Sequence, residues 1–175
     1  IMAKRNSNPD ALLTKSFGFV DGETQLSKYL KVKDFTRSYT ATIRGIDNRL
    51  PKSLLDNAKQ IAKVYDKIYE HFKGNVTLTS GYRSIALNNA VGGSSTSQHK
   101  NAHAIDVQGK NGVKNADVLR WVRQNVVFGQ CIWEYGTSIE PKWTHVGYGT
   151  KMQFLKIGVK NIKGLSLHLT DEGDI

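Results

Sequence analysis

Two short segments constrain this chain most: Ala104-Ile105-Asp106-Val107 and Trp143-Thr144-His145-Val146-Gly147. Both have the composition of strands, and each carries an ionisable residue in its middle. Strand alternation puts Ala104 and Asp106 on one face and Ile105 and Val107 on the other. His145 in the same way shares a face with Trp143 and Gly147. A carboxylate in a strand otherwise fit for burial is costly unless it is paired, hydrogen-bonded or bound to metal. Taken singly, each residue has a plainer reading: a buried aspartate capping a loop, or a histidine satisfied in a core. His99 changes that balance. It stands seven positions before Asp106 and follows the loop Gly92-Gly93-Ser94-Ser95-Thr96-Ser97, the kind of segment on which functional groups collect. Two imidazoles and one carboxylate make a three-ligand set suited to a catalytic zinc with one open position. A rival pairing is His99 with His103, whose spacing would place both on one face of a helix. The Gly/Ser loop before them and the strand-like segment after them argue against a helix there, so His103 is read as a neighbour of the site.

The rest of the pattern gives the scaffold. Pro51 to Lys73 is the clearest helix, with Leu54, Leu55, Ala58, Ile61, Ala62, Tyr65, Ile68, Tyr69 and Phe72 on a 3.6-residue stripe. Pro51 suits its start and Gly74 its stop. Residues 21–50 show short apolar clusters and predict short helices and loops. Asn75–Thr79 predicts a strand that presents Arg83 just beyond its end. Asn115–Asn125 predicts a second helix with Asn115 as its N-cap. Gln130–Tyr135 and Lys142–Tyr148 predict a hairpin, and Phe154–Val159 with Leu165–Leu169 a closing hairpin. The expectation is an α+β domain: a small antiparallel sheet carrying the zinc site, flanked by helices. Residues 1–20 are expected as an arm, 21–170 as one domain and 171–175 as an acidic tail.

Bulk properties narrow the classes. A chain of 175 residues can bury a core without disulfide staples. Its single cysteine, Cys131, lies in an apolar run and reads as a buried thiol. The formal charge of +10 is spread along the chain and suits a polyanion, or simply a solvated surface. No nucleic-acid motif accompanies it, so nucleic acid is not expected as a partner. No apolar run approaches membrane-spanning length, and no signal-peptide core is legible. The expectation is synthesis in a cytoplasm.

The ordered segments Ser80-Gly81-Tyr82-Arg83-Ser84, Ala90-Val91-Gly92-Gly93-Ser94, Ser97-Gln98-His99, Ala104-Ile105-Asp106-Val107 and Trp143-Thr144-His145-Val146 resemble the motifs of the zinc D-alanyl-D-alanine peptidases. That family shares the fold of the Hedgehog signalling domain and includes cell-wall carboxypeptidases, endopeptidases and phage endolysins. The resemblance covers roughly residues 17–148. It implies that His99, Asp106 and His145 bind zinc and that Arg83 meets the substrate, with Tyr82 and Ser97 beside it. Arg83 can grip a carboxylate or stabilise an oxyanion.

The general base is the open point. Many relatives carry an acid three residues before the last histidine, where this chain has Lys142. Glu134 and Glu140 are the candidates. If Glu134 pairs opposite Trp143, then Ile132 pairs opposite His145, and Glu134 shares a face with His145. A one-residue slip would send it to the other face. Glu134 is preferred, Glu140 being on a hairpin loop. Ala102 stands where relatives usually have Gly; positive φ there would cost about 1 kcal/mol. The expected function is a monomeric zinc peptidase cutting peptidoglycan peptide, acting at the bacterial wall as a phage-released or virion-associated lysin. The competing expectations are an exported D-Ala-D-Ala carboxypeptidase and a non-catalytic wall-binding module.

Overall fold

The computed structural model describes residues 18–160 and 166–167. The expected arm up to residue 17 and the acidic tail at 171–175 lie outside the described residues. Gly18 to Val20 lie against Leu50 to Lys52, with Val20 N–H donating to the Leu50 carbonyl at 2.9 Å and Lys52 N–H to Gly18 at 2.9 Å. Two short helices follow as expected, α1 (Val32–Phe35) and α2 (Tyr39–Arg44). Ser38 caps α2 by accepting the Ala41 N–H at 3.2 Å.

The long amphipathic helix is α3 (Leu55–His71), entered from Pro51 through a 3-10 turn at Lys52–Leu54. Its stripe is the predicted one, with Ala58, Ile61, Ala62, Tyr65 and Ile68 buried and Val64 added to them. Gly74, at φ +77°, ends it by donating to the Tyr69 carbonyl at 2.8 Å. The chain then forms β1 (Val76–Ser80), α4 (Ile85–Ala90), β2 (Ala104–Gly109), α5 (Asn115–Asn125), β3 (Gln130–Glu134), β4 (Trp143–Gly147) and β5 (Gln153–Ile157). A separate antiparallel pair joins β6 (Val159–Lys160) to β7 (Ser166–Leu167). Helix α4 was not anticipated. Ser84, whose hydroxyl accepts the Leu87 N–H at 3.3 Å, starts it inside what reads as a loop.

The five-stranded sheet has the order β1-β2-β4-β3-β5. It is mixed, which corrects the all-antiparallel expectation: β5 runs parallel to β3. Because β4 folds back on β3, its end Gly147 lies beside Gln130 at the start of β3. The short link 148–152 reaches only across that end of β3. Gln153 and Met152 dock there, donating to Gly129 and Phe128 carbonyls at 3.0 Å each. β5 therefore starts where β3 starts. Of the predicted closing hairpin, Val159–Lys160 and Ser166–Leu167 do pair, while Phe154 to Ile157 join the main sheet.

Alternation then separates two faces. Leu78, Ile105, Val107, Cys131, Trp133, Thr144, Val146 and Phe154 face α3 and α5 and form the core. Ser80, Asp106, His145, Trp143, Ile132 and Glu134 face the other way. Cys131 is fully buried and burial pushes its thiol up to about 12, which fits an inert core thiol.

Candidate metal centre

The hairpin register selects the residues of the site. Asp106 on β2 lies opposite His145 on β4, Ile132 opposite His145 on the other side, and Glu134 opposite Trp143. The third ligand candidate comes from a 3-10 turn, Gln98–Asn101. That turn ends at Ala102 in a left-handed conformation, φ +54°, so the position does require the backbone that glycine adopts most readily. A β-bulge at Thr79 puts Ser80, rather than Thr79, opposite Asp106.

His99 Nε2, Asp106 Oδ1 and His145 Nδ1 converge. The two nitrogens are 3.2 Å apart, His99 Nε2 is 3.2 Å from the carboxylate oxygen and His145 Nδ1 is 3.0 Å from it. All three residues are buried. One face of a tetrahedral zinc site has ligand atoms about 3.3 Å apart at ordinary zinc–nitrogen bond lengths, so the donor triangle fits that ion. The tautomer agrees. His99 Nδ1–H donates to the Gly81 carbonyl at 2.6 Å, which leaves Nε2 with its lone pair pointed into the triangle. Gly81 is needed for this approach, because a Cβ there would meet the Phe35 carbonyl oxygen at 2.3 Å. His103 is outside the set: it stacks on Tyr148 at 5.3 Å and its Nε2 lies 3.3 Å from Gln60 Oε1.

Asp106 is held ionised. Burial works against its charge, but protonated His99 and His145 outweigh it through their charge and hydrogen bonds and keep the carboxyl well below the usual range; with neutral imidazoles as ligands, a bound zinc would supply that positive charge. Its second oxygen, Oδ2, accepts from Arg83 at 2.7 Å, and Arg83 Nε donates to the Ser80 hydroxyl at 3.0 Å. Arg83 thus orients a ligand candidate as well as lining the cleft, a contact the sequence reading missed. The bulge that turns Ser80 inward creates it, and single-strand periodicity gives no sign of that bulge.

The two candidate bases separate clearly. Glu134 is half-buried on the face of His145, and its Oε2 accepts from the Trp143 indole at 2.6 Å. Burial, then the Asp106 carboxylate, push its pKa up; His145, the indole bond and Arg83 offset part of this. Glu140 instead accepts the Asn115 N–H through Oε1 at 2.7 Å, a backbone donor at the start of α5. Lys114, not Asn115, is the N-cap of α5, correcting that expectation. The Asn115 side chain bridges the sheet ends: Oδ1 accepts from Gly109 at 2.7 Å, and Nδ2 donates to Pro141 and Lys142 carbonyls at 3.0 and 2.9 Å.

The centre lies in a cleft of about 1210 Å³, with Arg83, Tyr82, Ser97 and Glu134 in its walls. Tyr82 is mostly buried, and burial raises its phenol pKa.

Residues 28–147, more than half of the chain, match the family described as Peptidase M15. The chain belongs to this family, the zinc D-Ala-D-Ala peptidases, and zinc is its metal. Its α+β fold and the convergence of His99, Asp106 and His145 agree with that membership. No curated protein matches the chain. None of the described helices is long and apolar enough to cross a membrane.

Proposed function

We propose that this metallopeptidase hydrolyses a peptide bond in the stem peptide or cross-link of peptidoglycan, with Glu134 as general base and Arg83 positioning Asp106 and meeting the substrate. The observation that carries the reading is the hairpin register: it sets Glu134, a carboxylate of the cleft wall, on the sheet face that carries Asp106 and His145. His99, Asp106 and His145 would hold the zinc. Bound there, it supplies a Lewis acid that polarises a carbonyl and makes water acidic enough to deprotonate near neutral pH. Glu134 takes the proton of the attacking water and returns it to the leaving amine. Oε2 is fixed by Trp143, so Oε1 is the oxygen that exchanges the proton. Lys142, which replaces the acid many relatives carry there, then leaves no gap in the chemistry. Tyr82 and Ser97 belong to the substrate-facing wall.

The test is digestion of purified muropeptides, resolved by mass. New amine termini that appear with zinc and vanish with a chelator support the reading; retention of muropeptides without products would show a binding module instead. In the same reading the enzyme is a lysin acting at the bacterial wall, which fractionation of producing cells would check.

A further inference from the structure

Besides the metal donors and Glu134, the cleft holds three cations: Arg37, Arg83 and Lys142. Arg83 is engaged with Asp106 and Ser80. The other two are exposed, and among the described residues neither side chain has an ion pair. Glu134, the only non-ligand carboxylate among the described residues of the cleft lining, is committed to the Trp143 indole through one oxygen. Once zinc adds its own charge, the cleft carries a clear excess of positive charge, which attracts anions and repels cationic peptides.

The two cations approach from different sides. Arg37 follows α1, whose Phe35 carbonyl accepts the Tyr82 N–H at 2.9 Å just past the end of β1. It therefore enters beside β1. Lys142 is fixed by its backbone, its N–H donating to Glu134 and its carbonyl accepting from Gln108 and Asn115. It lies three residues before His145, about 10 Å along β4. In the sheet order, β2, which carries Asp106, lies between β1 and β4.

We propose that Arg37 and Lys142 are specificity residues that capture two carboxylates of the substrate, one on each side of the scissile bond, so that the enzyme selects an acidic peptide. The inference rests on the peptidase reading above. Lys142 is then a substitution with a function: where an acid would repel a substrate carboxylate, the ammonium binds it. Arg37 presents a planar fork to the second carboxylate.

The experiment uses a synthetic wall stem peptide in its free-acid form and in forms with each carboxylate singly converted to carboxamide. Turnover is measured with the zinc-loaded enzyme, and affinity by calorimetry with zinc-loaded Glu134→Gln, which binds without cleaving. Amidation at either recognised position should weaken binding and lower kcat/KM roughly fivefold, in the range of solvent-accessible ion pairs, and high salt should shrink the difference. Arg37→Gln should abolish the preference at one position and Lys142→Gln at the other, each leaving its counterpart intact. Lys63→Gln, on the outer face of α3, should leave both preferences unchanged. Equal handling of acid and amide forms by the wild type, or preferences that survive both cleft variants, would overturn the proposal while leaving the peptidase standing. Selective binding of the acid forms with no turnover of any peptide would do the reverse: it upholds the carboxylate sites and refutes the hydrolysis.

Discussion

The two faces of one sheet hold residues of opposite character only one position apart. Ile105, Val107, Cys131 and Val146 have no exposed surface and sit among apolar neighbours. Asp106 and His145 are nearly as buried, at 3% and 5% exposure, yet the Asp106 carboxylate meets His99, His145 and Arg83 rather than carbon. The difference shows that burial alone does not define a core. The first face stabilises by removing carbon from water, about 25 cal/mol for each Å². The second is costly to bury and is maintained by Arg83, Gly81 and Ser80 around the donors. Substitutions on the two faces should therefore fail in different ways.

The largest effect belongs to the polar face. His145→Ala should lose stoichiometric zinc, read by metal analysis after gel filtration, and with it all zinc-dependent hydrolysis; full activity with zinc retained would refute the site. Glu134→Gln should keep zinc and lower kcat by 10²–10⁴-fold, the usual weight of a general base. Its wild-type counterpart fixes the sign of the pH dependence. The Glu134 carboxyl is held above its ordinary 4.5, and only the ionised form accepts a proton. The acidic limb of kcat/KM should therefore rise with pH and disappear in Glu134→Gln, with the charge of the bound zinc pulling its midpoint down.

Ile105→Ala, next to Asp106 but on the apolar face, should cost about 2–5 kcal/mol in denaturant unfolding while the folded protein still takes up one zinc. Loss of zinc at full stability would break the division between faces. Glu140→Gln is a smaller test. It weakens a charge-assisted bond at the start of α5, so about 0.3–1 kcal/mol of stability should go with activity unchanged. A catalytic loss there would return Glu140 to candidacy as the base. Ala102→Gly should change stability least. Relief of the left-handed backbone, about 1 kcal/mol, is offset by loss of a buried methyl, about 0.8 kcal/mol.

Much of the site was legible because its signals are local. Alternation around Asp106 and His145 put each on the face it occupies. Hairpin pairing made Glu134 a stated consequence of one register, and that register is the one observed. The stripe of α3 and the stop at Gly74 follow from a 3.6-residue period and a positive φ. The parallel placement of β5 was not legible, because it depends on where β4 ends in space. Nor was the assignment of Glu140 to α5, which joins residues 25 apart in sequence. Arg83 illustrates both sides: its position past β1 could be read, but its partner Asp106 could not.

By itself, then, the sequence determined the helical stripe and the strand faces, which follow from side-chain periodicity over a few residues, and its resemblance to the zinc peptidases implied the donors and their order. Only the tertiary structure decided which of two glutamates shares the face of His145, what holds the second oxygen of Asp106, and that the sheet is mixed. Those outcomes depend on contacts between distant segments, which form only when the core face packs and fixes the register of the whole sheet.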